Sequence, residues 1–394
     1  MTELTISSAQ VQRERSAALR TAMAAADIDA WITSLPSNTQ YATGYRSATL
    51  AVGEPPSCVA VAAADRTVLC APVAEWPAAV VDAEFPAADF LGYGNFNFDR
   101  IDSSPGPEPG LPGLSAAVRQ AIGELLPAGA RVAVDEALDP AIRAELAETF
   151  PALHLVDSGD WVWSFRSIKS AGELERMARS ARLAEAGILA AIESAATGCT
   201  ETELMAVVGS TMLAGGGLPQ FLVVTSGPRS AHSDAYAGPR RLRRGDLVRF
   251  DVGCTVDGYW SDIGRTAVVG EPDALQAARY AAILAGEQLE LELARPGLTA
   301  AELFHRAVDE VARNGLSPYR RHHCGHGIGL DVYESPIVNP AGDLPLRAGM
   351  TLCVETPYYE LGWGGMMVED TIVVTDSGCT ALTGAGRELS VITR

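Results

Sequence analysis

The sequence predicts an α+β protein: a smaller α/β domain, then a larger domain built on an internal twofold repeat. Three observations predict it. At roughly 100–200 residues per domain, 394 residues suggest two domains or three. The first part of the chain alternates short helical and strand patterns. The second part carries one pattern twice, about a hundred residues apart.

In the first part, residues 8–27 have helical periodicity. A strand is predicted over 30–33, after which Pro36-Ser37-Asn38 is expected to turn the chain. Apolar strands are predicted at 57–63 and 67–70, around the turn Ala64-Asp65-Arg66. Residues 102–114, rich in Pro and Gly, read as a loop, followed by a helix near 115–125 and a strand over 131–134. These elements make an α/β domain over residues 1–160, with no cluster of His, Cys and acidic residues of the kind that holds a metal. Residues 161–170 read as a packed linker in which Trp161 and Trp163 bury area. The larger domain is expected over 171–394.

The repeat lies in that larger domain. Gly198-Cys-Thr200-Glu-Thr-Glu203-Leu204 matches Gly297-Leu-Thr299-Ala-Ala-Glu302-Leu303. In each copy Thr and the Glu three residues later form a capping box that opens a helix. Long helical patterns precede them, over 171–195 and 274–294. Further on, Leu242-Arg-Arg-Gly245 through Asp251 matches Leu346-Arg-Ala-Gly349 through Glu355. Each copy reads helix, capped helix, turn, then strand carrying a carboxylate. Two copies facing each other would bring Asp251 and Glu355 into one central cleft.

The turn signal Asp257-Gly258 predicts a hairpin whose second strand covers 259–269. A two-residue turn pairs 256 with 259, 253 with 262 and 251 with 264. Asp251 and Asp262 then share a face as diagonal neighbours, roughly 7–8 Å apart along the backbone. A second hairpin, with strands over 351–356 and 366–374 and a connection centred on Gly362, places Glu355 opposite Glu369. Four carboxylates brought together must be neutralised, and two divalent cations would do it. The segment His322-His323-Cys324-Gly325-His326-Gly327 supplies imidazoles. Oxygen-dominated ligation with one His suits Mn, Co, Fe or Zn better than a structural zinc site does. The glycines at 325, 327 and 329 lack nucleotide-loop spacing. Ser230 with His232 reads as a loop rather than a nucleophile and base, and His154 and His305 read as ordinary surface or packed residues.

Composition excludes several classes of function. With 49 acidic and 30 basic residues the net charge is -19, which repels phosphate backbones and anionic membrane surfaces. Neither a nucleic acid nor a membrane is therefore an expected partner. No apolar run reaches the ~18 residues of a membrane span, and the N-terminus has no signal-peptide pattern. Seven cysteines without CxxC suggest a reducing cytoplasm, with cysteine used mostly as a small apolar residue.

The stretches DVGCTVDGYWSDIGRT, GHGIGL, VETP and VEDT together resemble the pita-bread metallopeptidase family, which includes methionine aminopeptidase, aminopeptidase P, prolidase, creatinase and ectoine hydrolase. The resemblance extends to the creatinase-type N-terminal domain, through Pro36-Ser-Asn-Thr-Gln-Tyr41-Ala-Thr-Gly44-Tyr, and to the linker Arg166-Ser-Ile-Lys169-Ser. It implies that Asp251, Asp262, His326, Glu355 and Glu369 are metal ligands. It also implies a pita-bread catalytic domain, a homodimer, and cleavage of a peptide or amide C–N bond by a hydroxide held between two divalent ions. Creatinase, which works without metal, lacks this full set. Glu355 is expected to shuttle the proton and His322 to stabilise the oxyanion. Two positions depart from the family peptidases. Twelve residues before Asp246, in place of a His, stands Asp234, with His232 two residues away. Seven residues after His326, again in place of a His, stands Tyr333. His232, Asp234 and Tyr333 are therefore the candidate substrate contacts. The leading expectation is an Xaa-Pro dipeptidase or aminopeptidase. The alternative is a non-peptidase small-molecule enzyme on the same fold, an ectoine hydrolase or creatinase-like hydrolase or a metal-dependent lyase.

Overall fold

The computed structural model describes residues 4–49, 57–99 and 106–394. The expected loop over 102–114 therefore lies partly outside the described residues. The chain divides into two compact units, one of residues 6–165 and one of residues 166–394 with the stretch up to Thr5.

The first unit is a mixed six-stranded sheet with helices. Its elements are α1 (Ser8–Ala25), β1 (Ala30–Thr33), α2 (Pro36–Thr43), β2 (Val59–Ala63), β3 (Thr67–Pro72), β4 (Phe90–Tyr93), α3 (Leu114–Leu125), β5 (Arg131–Val134), α4 (Pro140–Thr149) and β6 (His154–Asp157). The strand order is β4-β3-β2-β1-β5-β6. Ile32, Val61, Val68 and Val132 pack against Ala117, Val118 and Ile122 of α3 to form the core. The turn expected at Pro36-Ser37-Asn38 is instead the start of α2. Proline at the first helical position is already in helical geometry and lacks only an N–H the helix would leave unused. The helix stops at Gly44, whose φ of 80° suits a left-handed cap. Residues 161–170 begin with helical turns. A 3₁₀ turn, Gly159–Val162, runs into the one-turn helix α5 (Trp163–Arg166). Trp161 packs edge-on against Trp31, with ring centroids 5.9 Å apart.

The second unit contains α6 (Ala171–Ser194), α7 (Glu201–Ala214), β7 (Leu218–Ser226), β8 (Leu247–Val256), β9 (Tyr259–Val269), α8 (Ala274–Leu293), α9 (Ala300–Arg313), β10 (Gly325–Gly327), β11 (Glu334–Ile337), β12 (Thr351–Glu355), β13 (Tyr358–Glu360), β14 (Gly364–Met366), β15 (Glu369–Val374), β16 (Cys379–Ala381) and β17 (Ser390–Ile392). Both expected capping boxes are formed, at Thr200 with Glu203 and at Thr299 with Glu302. The matching turns pass through Gly245 and Gly349, with φ of 86° and 87°.

One nine-stranded sheet runs β11-β10-β12-β15-β9-β8-β7, with β16 beside β15 and β17 beside β9. Alternation decides what each face meets. Phe250, Val252 and Ile263 face the α6–α7 pair, and Leu352, Val354 and Ile372 face α9. The residues between them, Asp251, Asp262, Cys353 and Glu355, therefore share the opposite face. The hairpin register follows the sequence expectation: Val256 pairs with Tyr259, Gly253 with Asp262 and Asp251 with Gly264. Glu355 pairs with Glu369. The strand expected over 366–374 is broken, because Met367 bonds the Thr266 hydroxyl through both its N–H and its carbonyl instead of continuing a ladder. Residues 364–366 then pair with β13 in a separate hairpin.

Candidate metal centre

Two rows of side chains cross the sheet on the face away from the helices. The first is Asp251, Gly264, Glu369, Glu355, each paired with the next across β8, β9, β15 and β12. The second lies two residues along: Asp262 on β9, Thr371 on β15, Cys353 on β12 and His326 on β10. Glycine at 264 keeps the first row open, since a Cβ there would fall 2.5 Å from Met367 Cγ and 3.1 Å from Glu369 Cβ. Gly325 lets β10 approach closely. Its φ is 139°, and a Cβ would sit 2.1 Å from the Cys353 carbonyl oxygen.

All five expected ligands line one cleft of about 370 Å³. Ligand atoms of Asp262, His326, Cys353 and Glu369 lie within 4.8 Å of one another. His326 is buried, with Nδ1 3.0 Å from the Gly327 carbonyl, and Nε2 sits 4.0 Å from Asp262 Oδ2. Nδ1 donating to that carbonyl leaves the Nε2 lone pair turned into the site. Asp262 Oδ1 and Glu369 Oε2 are buried without a hydrogen-bond partner among the described residues. Burial raises both carboxyls well above the usual range, and the neighbouring carboxylates add to it. Buried oxygens left unpaired among like charges fit a divalent cation, which would satisfy them and remove the repulsion. Asp262, His326 and Glu369 would hold such an ion, and Asp251 and Glu355 flank them.

Asp251 and Glu355 already have partners that the linear sequence did not reveal. Arg249 Nη1 donates to Asp251 Oδ2 at 2.8 Å. The same fully buried guanidinium holds the carbonyls of Ser230, His232 and Ser233. His323 Nδ1 lies 2.9 Å from Glu355 Oε1, and Arg321 Nη2 lies 3.8 Å from Oε2. Burial alone would raise Glu355, but His323 and Arg321 outweigh it and hold its carboxyl below the usual carboxylate range. The signal for Arg249 was a charged residue at alternate spacing in an apolar strand.

The substrate candidates separate. Asp234 and Tyr333 line the cleft, as does the exposed His322, whose imidazole is lowered by burial and by His323 and Arg321. The Tyr333 ring stacks on His326, with centroids 3.9 Å apart. His232 does not line the cleft, and its carbonyl serves Arg249. Ser230 accepts from Gly365 N–H and donates to the Gly227 carbonyl, a structural role. Behind Tyr333, buried Glu334 takes Arg166 Nη2 at 2.5 Å and Lys169 Nζ at 2.7 Å, and accepts the Leu330 N–H. The family-like Arg166 and Lys169 thus brace the loop that carries Tyr333. A larger groove of about 650 Å³ in the first unit has no cluster of three or more converging metal-ligating side chains among the described residues.

A mixed sheet with paired capped helices and converging carboxylates defines a metallohydrolase-type domain. Residues 175–376 match the model of metallopeptidase family M24, and residues 15–168 that of the creatinase/prolidase N-terminal domain. The chain belongs to metallopeptidase family M24 and has its pita-bread fold. It is 38% identical over 232 residues to an Xaa-Pro dipeptidase of Pyrococcus horikoshii, a match covering 58% of this chain and 66% of that protein. Among solved structures, dipeptidase PepE from Mycobacterium ulcerans superposes with a TM-score of 0.79 at 27% identity, over 99% of this chain and 100% of that one. The prolidase of Pyrococcus horikoshii gives 0.77 at 29%, over 95% and 99%. No helix among the described residues is long and apolar enough to cross a membrane.

Proposed function

We propose that the protein is a metal-dependent dipeptidase that hydrolyses Xaa-Pro dipeptides, with two divalent ions held by Asp251, Asp262, His326, Glu355 and Glu369. The observation that carries this reading is the pair of buried, unpartnered oxygens on Asp262 and Glu369 beside the inward-turned His326. Bound divalent ions supply Lewis acidity and a water of lowered pKa. Glu355, kept ionised by His323 and Arg321, takes the proton of the attacking water and returns it to the leaving nitrogen. His322 donates to the developing oxyanion. Arg321, a cation lining the cleft, receives the substrate carboxylate, and Asp234 receives its ammonium. Manganese is one metal this oxygen-rich set suits. A cytoplasmic homodimer is part of the same reading, drawn from the resemblance and from seven free cysteines.

Asp234 and Tyr333 in the cleft, where family peptidases carry imidazoles, favour a second reading, a non-peptide amide or amidine as substrate. The test is the purified chain loaded with Mn²⁺ or Co²⁺ and offered Gly-Pro, Ala-Pro and cyclic amidines. Cleavage of the dipeptides is expected. Turnover of the amidines alone would give the second reading the site.

A further inference from the structure

The cysteine on β12 adjoins the metal site: it does not line the cleft, but its sulfur lies within 4.8 Å of ligand atoms of Asp262, His326 and Glu369. Cys353 pairs with His326 on one side and with Thr371 on the other. Thr371 in turn bonds Asp262 through both backbone groups. Cys353 is therefore the middle of a row whose ends are two metal-ligand side chains, and all of them share one face of the sheet. Its sulfur belongs to the group of four ligand atoms lying within 4.8 Å of one another. Tetrahedral ligands at about 2.0–2.3 Å from an ion stand about 3.3–3.8 Å apart, so side-chain shifts of about an ångström would bring all four onto a common ion. The sulfur's own contacts are long: 3.9 Å to the Asp262 carbonyl and 3.8 Å to Thr371 Oγ1. The second, independent observation is the pair of carboxylate oxygens, Asp262 Oδ1 and Glu369 Oε2, buried and unpartnered in the same pocket.

We propose that Cys353 is itself a metal ligand, so that the position formed by Asp262, His326 and Glu369 takes a thiophilic divalent ion, Zn²⁺ or Co²⁺, in preference to Mn²⁺. The proposal rests on the metal-dependent reading above and sharpens which metal it uses. Binding breaks the S–H bond, forms a metal–sulfur bond and releases one proton to solvent, with no change of oxidation state. Thiolate adds a soft donor to a set of hard oxygens and one imidazole, and so favours later, softer ions.

The experiment uses Co²⁺ alone, added to the metal-free full chain. Expected is a near-ultraviolet sulfur-to-cobalt charge-transfer band that saturates with the first equivalent. The band is lost in Cys353→Ser and Cys353→Thr, which still bind cobalt by elemental analysis, and is kept in Cys324→Ala. X-ray absorption on the wild-type chain carrying one equivalent of Zn²⁺ should show a sulfur scatterer in the first coordination sphere, a readout that holds even if a variant misfolds. Cobalt bound by the wild type with no such band, and zinc with no sulfur neighbour, overturns the proposal while leaving the metal-dependent reading intact. A wild-type chain that binds no cobalt overturns both.

Discussion

Arg249 and Asp251, two residues apart on one strand, form a buried ion pair at 2.8 Å, and the same guanidinium grips three carbonyls of the loop leading to Asp234. One side chain thus couples a candidate metal ligand to a candidate substrate contact. Replacing it with methionine keeps most of the volume but leaves a buried carboxylate and three carbonyls without their donor. Arg249→Met should cost about 3–5 kcal/mol, read from denaturant midpoints. Arg249→Lys should recover only part, because an ammonium cannot span the fork's partners. In the assay, KM should rise more than kcat falls. A Met variant as stable as the parent would show the pair to be incidental.

Removing metal should lower the melting temperature, since an ion bound only by the folded chain adds RT ln(1 + [L]/Kd), about 2.7 kcal/mol at a hundredfold excess. Glu369→Gln separates the two sides of that balance. It removes one of the crowded charges, so the metal-free variant should melt above the metal-free parent. With metal present it should melt below the parent. Scanning calorimetry with and without chelator reads both, and a uniform shift in one direction would contradict the assignment.

The metal-free site also fixes a sign for pH. Burial pushes the Asp251 carboxyl up to about 7, with Glu355 adding and Arg249 opposing, and it raises Asp262 and Glu369 as well. Each group binds its proton more tightly folded than unfolded. For Asp251 the stability this gives is complete below the unfolded pKa of about 4 and is lost as pH rises through about 7; Asp262 and Glu369 act with the same sign. The chelated protein should therefore lose melting temperature between pH 5 and 8 relative to the loaded one. Glu287 and Glu290 are also raised by burial but are present in both forms, so the difference between the two curves isolates the site. Parallel curves would rule out this titration.

Glu334 offers a test away from the ligands. Burial raises its carboxyl, yet Lys169 and Arg166 more than offset that and hold it below its ordinary value. Glu334→Gln breaks both pairs and takes the carboxylate from buried Lys169, while Arg166 keeps Asp331 at 3.0 Å; the expected cost is about 3 kcal/mol. Because Glu334 also accepts N–H groups of the loop before Tyr333, Tyr333 should lose its fixed stacking on His326. Faster hydrogen exchange across residues 328–333, with β8 and β9 unchanged, is the expected signature.

What could be read in the sequence was local. Asp257-Gly258 fixed one register and Gly362 the other, so the alignment of Asp251, Asp262, Glu355 and Glu369 followed from turn chemistry. The repeated Thr–Glu boxes likewise set both helix starts. Helix α2 was missed because Pro36 was read as a stop rather than a first residue. Helix α4 had a readable start in Asp139 and Pro140, and both its cap and its proline are used. Strands β4 and β6, as short as β1 and β5, are the two edges of their sheet and mostly half-buried or exposed, so they lack the apolar run that marks the inner strands. The roles of His323, Arg321 and the Arg166–Lys169–Glu334 cluster depend on which strands become neighbours. That information lies in the packing of distant segments and leaves no mark on spacing.

The internal repeat carries one more consequence. Counting back two residues from Asp251 and from its counterpart Glu355 reaches Arg249 in one copy and Cys353 in the other, both on the sheet face that carries the candidate ligands. A pair of identical polypeptides meeting about a twofold axis would have to present the same residue from both sides. Covalent fusion removes that obligation. Each half can then drift on its own, one bringing a fixed positive charge and the other a polarisable sulfur. The two flanks of the centre become chemically unlike, and a single chain acquires a left and a right with which to tell the two ends of an asymmetric ligand apart.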